Sequence, residues 1–266
     1  MKSLCTILTV FASFSAAATA ELVEKIVEYK HGDLTYEGFH VYDDDFEGIR
    51  PGILVVHQWT GLSDYEKRRS RMLAEMGCNV FAADIYGKGV RPPAPKASAE
   101  ESGKFKSDRN LYRARLNLAL NVLMKDPLTD QSKMAAVGYC FGGAGVLELA
   151  RAEAPLQGVV SFHGSLGSAE GFEAKNGDKM PKVLVLHGAD DPYAPAEEVA
   201  NLQKEMTAAG VDWQLVLYSG AVHSFTQPHA GDDPSKGAAY DAKADARSWK
   251  AMKVFLEEVF DGYSLR

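Results

Sequence analysis

The sequence predicts an α/β fold: a mostly parallel, doubly wound sheet with an antiparallel hairpin at its N-terminal end. Three observations predict it. Short uninterrupted apolar runs such as Ile53-Leu54-Val55-Val56 and Val183-Leu184-Val185-Leu186 recur along the chain, the pattern of strands covered on both faces. Stretches with helical apolar spacing separate those runs, and strands that alternate with helices form parallel sheets. Glycine-rich turns mark the junctions, the densest being Gly138-Tyr139-Cys140-Phe141-Gly142-Gly143. No repeat, low-complexity segment or Gly/Ser-rich linker divides residues 21–266, which read as a single domain.

Taken in order, residues 1–20 read as an export signal. Lys2 supplies the positive start, Leu4 to Phe14 is apolar, and Ala18-Thr19-Ala20 forms a small-x-small cleavage site. The mature chain is expected to begin at Glu21, in a periplasmic or secreted location. The apolar stretch is too short to span a bilayer, so no membrane insertion is expected after cleavage. Val23, Lys25, Val27 and Tyr29, then Leu34, Tyr36, Gly38 and His40, alternate as two strands joined at His31-Gly32-Asp33. Asp43-Asp44-Asp45 reads as a solvated turn; it lacks the spaced ligands of a calcium loop. A strand over Ile53–His57 is followed by a helix from Asp64 that Gly77 closes, then a strand over Asn79–Asp84. Tyr86 to Ser98 reads as irregular, stiffened by Pro92, Pro93 and Pro95, before one long helix from Ala99 to Met124. Strands are expected at Met134–Val137, Gly158–Gly164, Lys182–Gly188 and Trp213–Tyr218, with helices at Ala144–Arg151, Pro195–Ala209 and Gly237–Phe260.

Composition narrows the classes of function. A formal charge of −7, one unit more negative without Lys2, argues against nucleic acid or an anionic membrane as partner. The chain has three cysteines, of which Cys5 falls in the leader. Cys78 and Cys140 are too few for a disulfide framework, so packing has to hold the domain together. Oligomeric state is not legible.

The chemistry concentrates in three loops that follow strands. In the first, an apolar strand runs into Gly138-Tyr139-Cys140-Phe141-Gly142-Gly143 and then a helix with small residues in its first turn. That is the layout of a nucleophile elbow, with cysteine in the serine's place. The helix N-terminus behind the sulfur favours thiolate. Asp190 and Asp191 follow the strand ending at Gly188, and His223 follows the last strand. Nucleophile, acid, histidine is the chain order of α/β-hydrolases. Pro192 restricts Asp191 to extended backbone and fixes the direction of its carboxylate. Trp59 and Tyr86 are candidates for the pocket wall. His57, His163 and His187 all fall at strand ends, without the spacing of a metal site.

These motifs resemble the dienelactone hydrolase family. The elbow, Val56-His57-Gln58-Trp59-Thr60-Gly61-Leu62, Asp84-Ile85-Tyr86-Gly87-Lys88-Gly89 and His223-Ser224-Phe225 are similar to its signature stretches in the same order. The resemblance implies an ester or lactone hydrolase with Cys140 as nucleophile, His223 as base and Asp191 as the acid, which that family places three residues after the glycine at 188. It implies oxyanion donors at the backbone of Phe141 and of the Gln58-Trp59 loop, and no cofactor. Two features depart from the family. Gln58 stands where members carry a glutamate that helps control the thiol. Lys88 and Gln227 stand near two arginines that hold a substrate carboxylate, and lysine plus glutamine does not reproduce a bidentate clamp. The expected substrate is therefore a small ester or lactone other than dienelactone itself.

Two other classes compete. A binding protein that kept the fold and lost turnover fits the Gln58 substitution, and a thiol redox protein would use Cys78 and Cys140, though not in Cys-x-x-Cys spacing.

Overall fold

The computed structural model describes residues 22–93 and 95–266; the expected leader lies outside them. Eight strands form one sheet in the order β1-β2-β4-β3-β5-β6-β7-β8. They are β1 (Leu22–His31), β2 (Leu34–Asp43), β3 (Arg50–Val56), β4 (Asn79–Ala83), β5 (Thr129–Tyr139), β6 (Gly158–Phe162), β7 (Lys182–Gly188) and β8 (Trp213–Tyr218). β1 and β2 form the expected hairpin, β2 runs antiparallel to β4, and all the remaining pairs are parallel.

The alternation of side chains along each strand divides the core into two layers. Ile53 and Val55 of β3 face α1 (Asp64–Ala74) and α6 (Ala242–Val259), packing with Leu73, Met252 and Phe255. Leu54 and Val56 face the other way. There they join residues of α3 (Arg109–Met124), α4 (Phe141–Arg151) and α5 (Ala196–Ala209), including Leu116, Val146 and Leu202. Among the described residues no helix is long and apolar enough to cross a membrane.

Four local expectations are corrected. The single helix expected over 99–124 is two, α2 (Pro95–Ser107) and α3, because Asp108 caps the second: its side chain accepts the Leu111 N–H at 2.9 Å. α2 also begins inside the stretch expected to be irregular, since proline is tolerated in a first helical turn. The last helix starts at Ala242 and not Gly237, where Asp241 accepts the N–H groups of Lys243 and Ala244. Gly237 instead ends a short 3₁₀ turn with a φ of +79°. The Asp43 turn is only partly solvated: Asp43 is buried and pairs with Arg266 at 3.3 Å, while its neighbours are exposed.

Parallel strands deliver their carboxyl ends to one edge of the sheet, where β3, β5, β6, β7 and β8 release their loops side by side. α4 starts directly from β5 there, and it fits only because Gly138 and Gly142 carry no side chains at the contact. A Cβ on Gly138 would overlap the Gly142 carbonyl, and one on Gly142 would overlap the Val56 carbonyl of β3. Gly142→Ala is therefore expected to lower the melting temperature, at a cost of about 1–3 kcal/mol or more for a core overfilled against rigid backbone. Gly103→Ala, in α2 with open space around it, is expected to raise it slightly, since glycine inside a helix costs roughly 0.5–1 kcal/mol relative to alanine. Thermal unfolding of the two variants checks both signs.

Candidate active site

Cys140 caps α4 with a φ of 54° and ψ of −113°, left-handed backbone that a non-glycine residue adopts only when its surroundings impose it. The constraint is visible. Glycines on either side let β5 and α4 pack at van der Waals contact, and the Cys140 N–H is tied to the Phe162 carbonyl of β6 at 3.0 Å. The sulfur is thereby lifted above the strand ends while the helix N-terminus lies behind it.

The loops after β7 and β8 bring the other two residues to it. Asp191 is buried, and its Oδ2 accepts the His223 Nδ1–H at 2.8 Å. Its Oδ1 accepts the Tyr193 N–H at 2.8 Å, so both oxygens are fixed. Asp190 points outward and is exposed. His223 is held by its own backbone: its N–H donates to Gly237 O and its carbonyl accepts from Ala239 N–H, at 3.2 and 3.0 Å. With Nδ1 occupied by Asp191, Nε2 is left for the neighbouring sulfur.

Burial alone would raise the Cys140 thiol. The adjacent His223 charge, the hydrogen bond from its ring, the Phe141 N–H and the Lys106 charge outweigh burial and hold the thiol below its usual 9.0. Burial likewise works against protonated His223. The Cys140 sulfur and Asp191 outweigh it and raise the imidazole above its usual 6.5. The two shifts share a cause: the charged forms of Cys140 and His223 stabilise each other, so the two groups titrate together. Cys78 has no such partner and burial pushes it up to about 12.

Of the expected oxyanion donors, the Phe141 N–H faces the sulfur. The Gln58 N–H does not serve, because it is bonded to the buried Glu66 carboxylate at 3.1 Å. Of the two expected donors on that loop, this leaves Trp59. Of the expected substrate contacts, Tyr86 stands at the site: its hydroxyl donates to Trp59 O at 3.0 Å and its ring packs 5.5 Å from Phe141. Lys88 does not. Its ammonium is paired with Glu28 and with Glu37 of the N-terminal hairpin, because the loop after β4 turns that way along the sheet. Gln227 is half-buried four residues beyond His223 and opens a 3₁₀ turn.

The strand-end histidines are structural and do not form one cluster. His57 Nδ1–H donates to Gln58 O at 2.5 Å and its Nε2 accepts from Ile85 N–H at 3.2 Å; burial pushes it down to about 3. His187 Nε2–H donates to Ala194 O at 3.0 Å. His163 is fully buried, left-handed at φ 39°, and its ring lies 5.3 Å from His223. Burial, reinforced by the His223 charge, holds it well below 6.5 and hence neutral. Its Nε2 meets Thr226 Oγ1 at 2.7 Å, which meets Tyr65 OH at 2.6 Å, and Arg69 links that hydroxyl to Asp245. This buried chain ties the His223 loop to α1 and α6. Sequence reasoning missed it because its members lie far apart in the chain. Glu66 was also missed, although Ser63-x-x-Glu66 spells a capping box in the sequence.

A mostly parallel sheet, a strained strand–turn–helix elbow at Cys140 and an acid–histidine pair from the loops after β7 and β8 are the layout of an α/β-hydrolase. Comparison with known proteins narrows the class. The model of the dienelactone hydrolase family matches residues 37–260, and the chain belongs to that family, a family of ester and lactone hydrolases. The solved structure of a dienelactone hydrolase-like promiscuous phosphotriesterase from metagenomic libraries is 40% identical, covering 91% of this chain and 100% of that one, with a TM-score of 0.85. An uncharacterized protein of Caenorhabditis elegans is 38% identical over 156 residues, 58% of this chain and 98% of its own. A putative carboxymethylenebutenolidase of Saccharolobus solfataricus is 25% identical, over 80% of this chain and 91% of its own.

The pair fixes a sign for reactivity against pH. A thiol held below 9.0 keeps its reactivity to lower pH than an ordinary cysteine, and loses it as pH falls through the lowered value. Iodoacetamide is therefore expected to alkylate Cys140 at pH 7 and leave Cys78 untouched in the folded protein. The rate–pH profile should have its acid limb below the usual thiol range. A limb centred near 9, or preferential labelling of Cys78, contradicts the ion pair.

Proposed function

We propose that the chain hydrolyses a small ester or lactone by covalent catalysis, with Cys140 as nucleophile, His223 as acid and base, and Asp191 orienting the imidazole. The observation that carries this reading is the 2.8 Å hydrogen bond from His223 Nδ1–H to buried Asp191, with Cys140 held in strained backbone beside that imidazole.

In the first half-reaction the Cys140 thiolate attacks the carbonyl carbon. The π electrons move to oxygen, and the Phe141 and Trp59 N–H groups receive the developing charge. The tetrahedral intermediate collapses with cleavage of the acyl C–O bond. The departing alkoxide takes the proton from His223 Nε2, which leaves a thioester on Cys140 and a neutral imidazole. In the second half-reaction His223 Nε2 takes a proton from water while its oxygen adds to the thioester carbonyl. Collapse expels the thiolate and releases the acid, restoring the ion pair. Asp191 keeps the Nδ1–H tautomer throughout and stabilises the imidazolium.

The surroundings favour an uncharged acyl group. Lys88 is engaged by Glu28 and Glu37, and Gln227 is neutral, so the two expected positions supply no free bidentate cation. The Tyr86 and Phe141 rings pack 5.5 Å apart at the elbow, and Trp59 lies partly buried against the same apolar cluster. The reading includes export, supported by Lys2, the apolar Leu4–Phe14 stretch and Ala18-Thr19-Ala20.

The test compares two adjacent acids. Asp191→Asn leaves the wrong imidazole tautomer and is expected to lower kcat/KM for a chromogenic ester by on the order of 10²–10⁴, the upper figure being the loss seen in a serine triad. Asp190→Asn, on an exposed side chain, is expected to behave like the parent, with melting temperatures of both unchanged. A crippled Asp190→Asn beside a fully active Asp191→Asn contradicts the assignment.

A further inference from the structure

Glu66 sits on the first turn of α1, fully buried, with three donors on its carboxylate. Oε2 accepts the Ser63 N–H at 2.9 Å and the Ser63 hydroxyl at 2.6 Å. That is a helix-capping box, and it accounts for one oxygen. It does not account for the other. Oε1 reaches eight residues back, out of the helix, to accept the Gln58 N–H at 3.1 Å.

The loop it spans holds the Trp59 N–H. We propose that Glu66 is a positioning residue for the oxyanion site, clamping the 58–63 loop so that the Trp59 N–H faces the attacked carbonyl. This rests on the reading of Cys140 as nucleophile given above. The argument is one of peptide geometry. The Gln58 carbonyl and the Trp59 N–H share one rigid plane and point in opposite directions, so whatever fixes the carbonyl aims the donor. That carbonyl accepts from His57 Nδ1–H at 2.5 Å and from Gly61 N–H at 3.2 Å. On the far side of Trp59, its own carbonyl accepts from Tyr86 OH at 3.0 Å. Glu66 fixes the remaining freedom, the rotation of Gln58 about its own N-terminal side.

The clamp also selects the donor. With the Gln58 N–H facing Glu66, the loop presents one N–H to the substrate oxygen and not two. A buried carboxylate satisfied by three donors is hard to move, so the donor is held before substrate arrives, the condition under which such groups act on a transition state.

The experiment separates an oxyanion effect from a nucleophile effect. Glu66→Gln in the full-length mature protein keeps the shape but places an amide N–H₂ where one of the donors must be accepted. Two rates are measured on it: kcat/KM for p-nitrophenyl acetate, which passes through an oxyanion, and alkylation of Cys140 by iodoacetamide, a displacement at saturated carbon that does not. The expected result is a fall of about 10- to 100-fold in ester turnover, part of the 10²–10³ that loss of a whole donor costs, with alkylation unchanged within about twofold. Glu66→Asp, which keeps the charge but draws it back by one methylene, is expected to show the same split and stands in if Glu66→Gln fails to fold. Ester turnover at the parent rate with only a lower melting temperature reduces Glu66 to a helix cap and overturns the inference. So does an equal loss in both rates, which reports a general disturbance of the site. Parent protein that stays fully active after stoichiometric alkylation of Cys140 overturns the nucleophile reading itself, and the inference with it.

Discussion

The site depends on one steric fit, the first turn of α4 lying directly against the ends of β3 and β5. Gly142 rests on the Val56 carbonyl and Gly138 on the Gly142 carbonyl, distances that no side chain survives. Because the helix begins so close to the strand, the residue between them has no regular backbone to adopt and takes a φ of 54°. The same fit raises the sulfur above the sheet edge and sets the helix N-terminus beneath it. Packing in the core therefore decides the chemistry at the surface, and the strain at Cys140 is offset by the burial on either side of it.

Around that point the charges are arranged in a consistent order. The Cys140 sulfur and the His223 imidazole each favour the other's charged form, and Asp191 holds the imidazole from its far side. The other strand-end histidines are kept neutral by burial, His57 and His163 among them, so they add polar walls without adding charge. His163 in particular places a neutral ring beside His223 and passes its hydrogen bonding to Thr226, Tyr65 and Arg69. On the other side of the sulfur, Glu66 is turned into the loop backbone through Gln58 and Ser63. Burial raises the Glu66 carboxyl, and the donors from Ser63 and Gln58 work against that rise.

Local patterns carried much of this into the sequence, and long-range contacts did not. The strands were legible because burial on both faces demands uninterrupted apolar runs. The elbow was legible because only glycine fits its two contacts. Asp191 was separable from Asp190 because Pro192 constrains its backbone. By contrast, a motif position says nothing of where Lys88 points, because that is set by Glu28 and Glu37, on a hairpin about fifty to sixty residues earlier. Gln58 was named as a donor because nothing local showed that Glu66 takes its N–H. The split between α2 and α3 at Asp108 was masked by apolar spacing that continues through the break; a capping aspartate inside a helical pattern was the available signal.

If turnover passes through a thioester on Cys140, intact-mass analysis of enzyme quenched during ester turnover will catch it. The expected result is an added mass equal to the acyl group, located by peptide mapping on Cys140 and removed by hydroxylamine. Absence of any adduct at early quench times, together with full ester hydrolysis by Cys140→Ala, would contradict it.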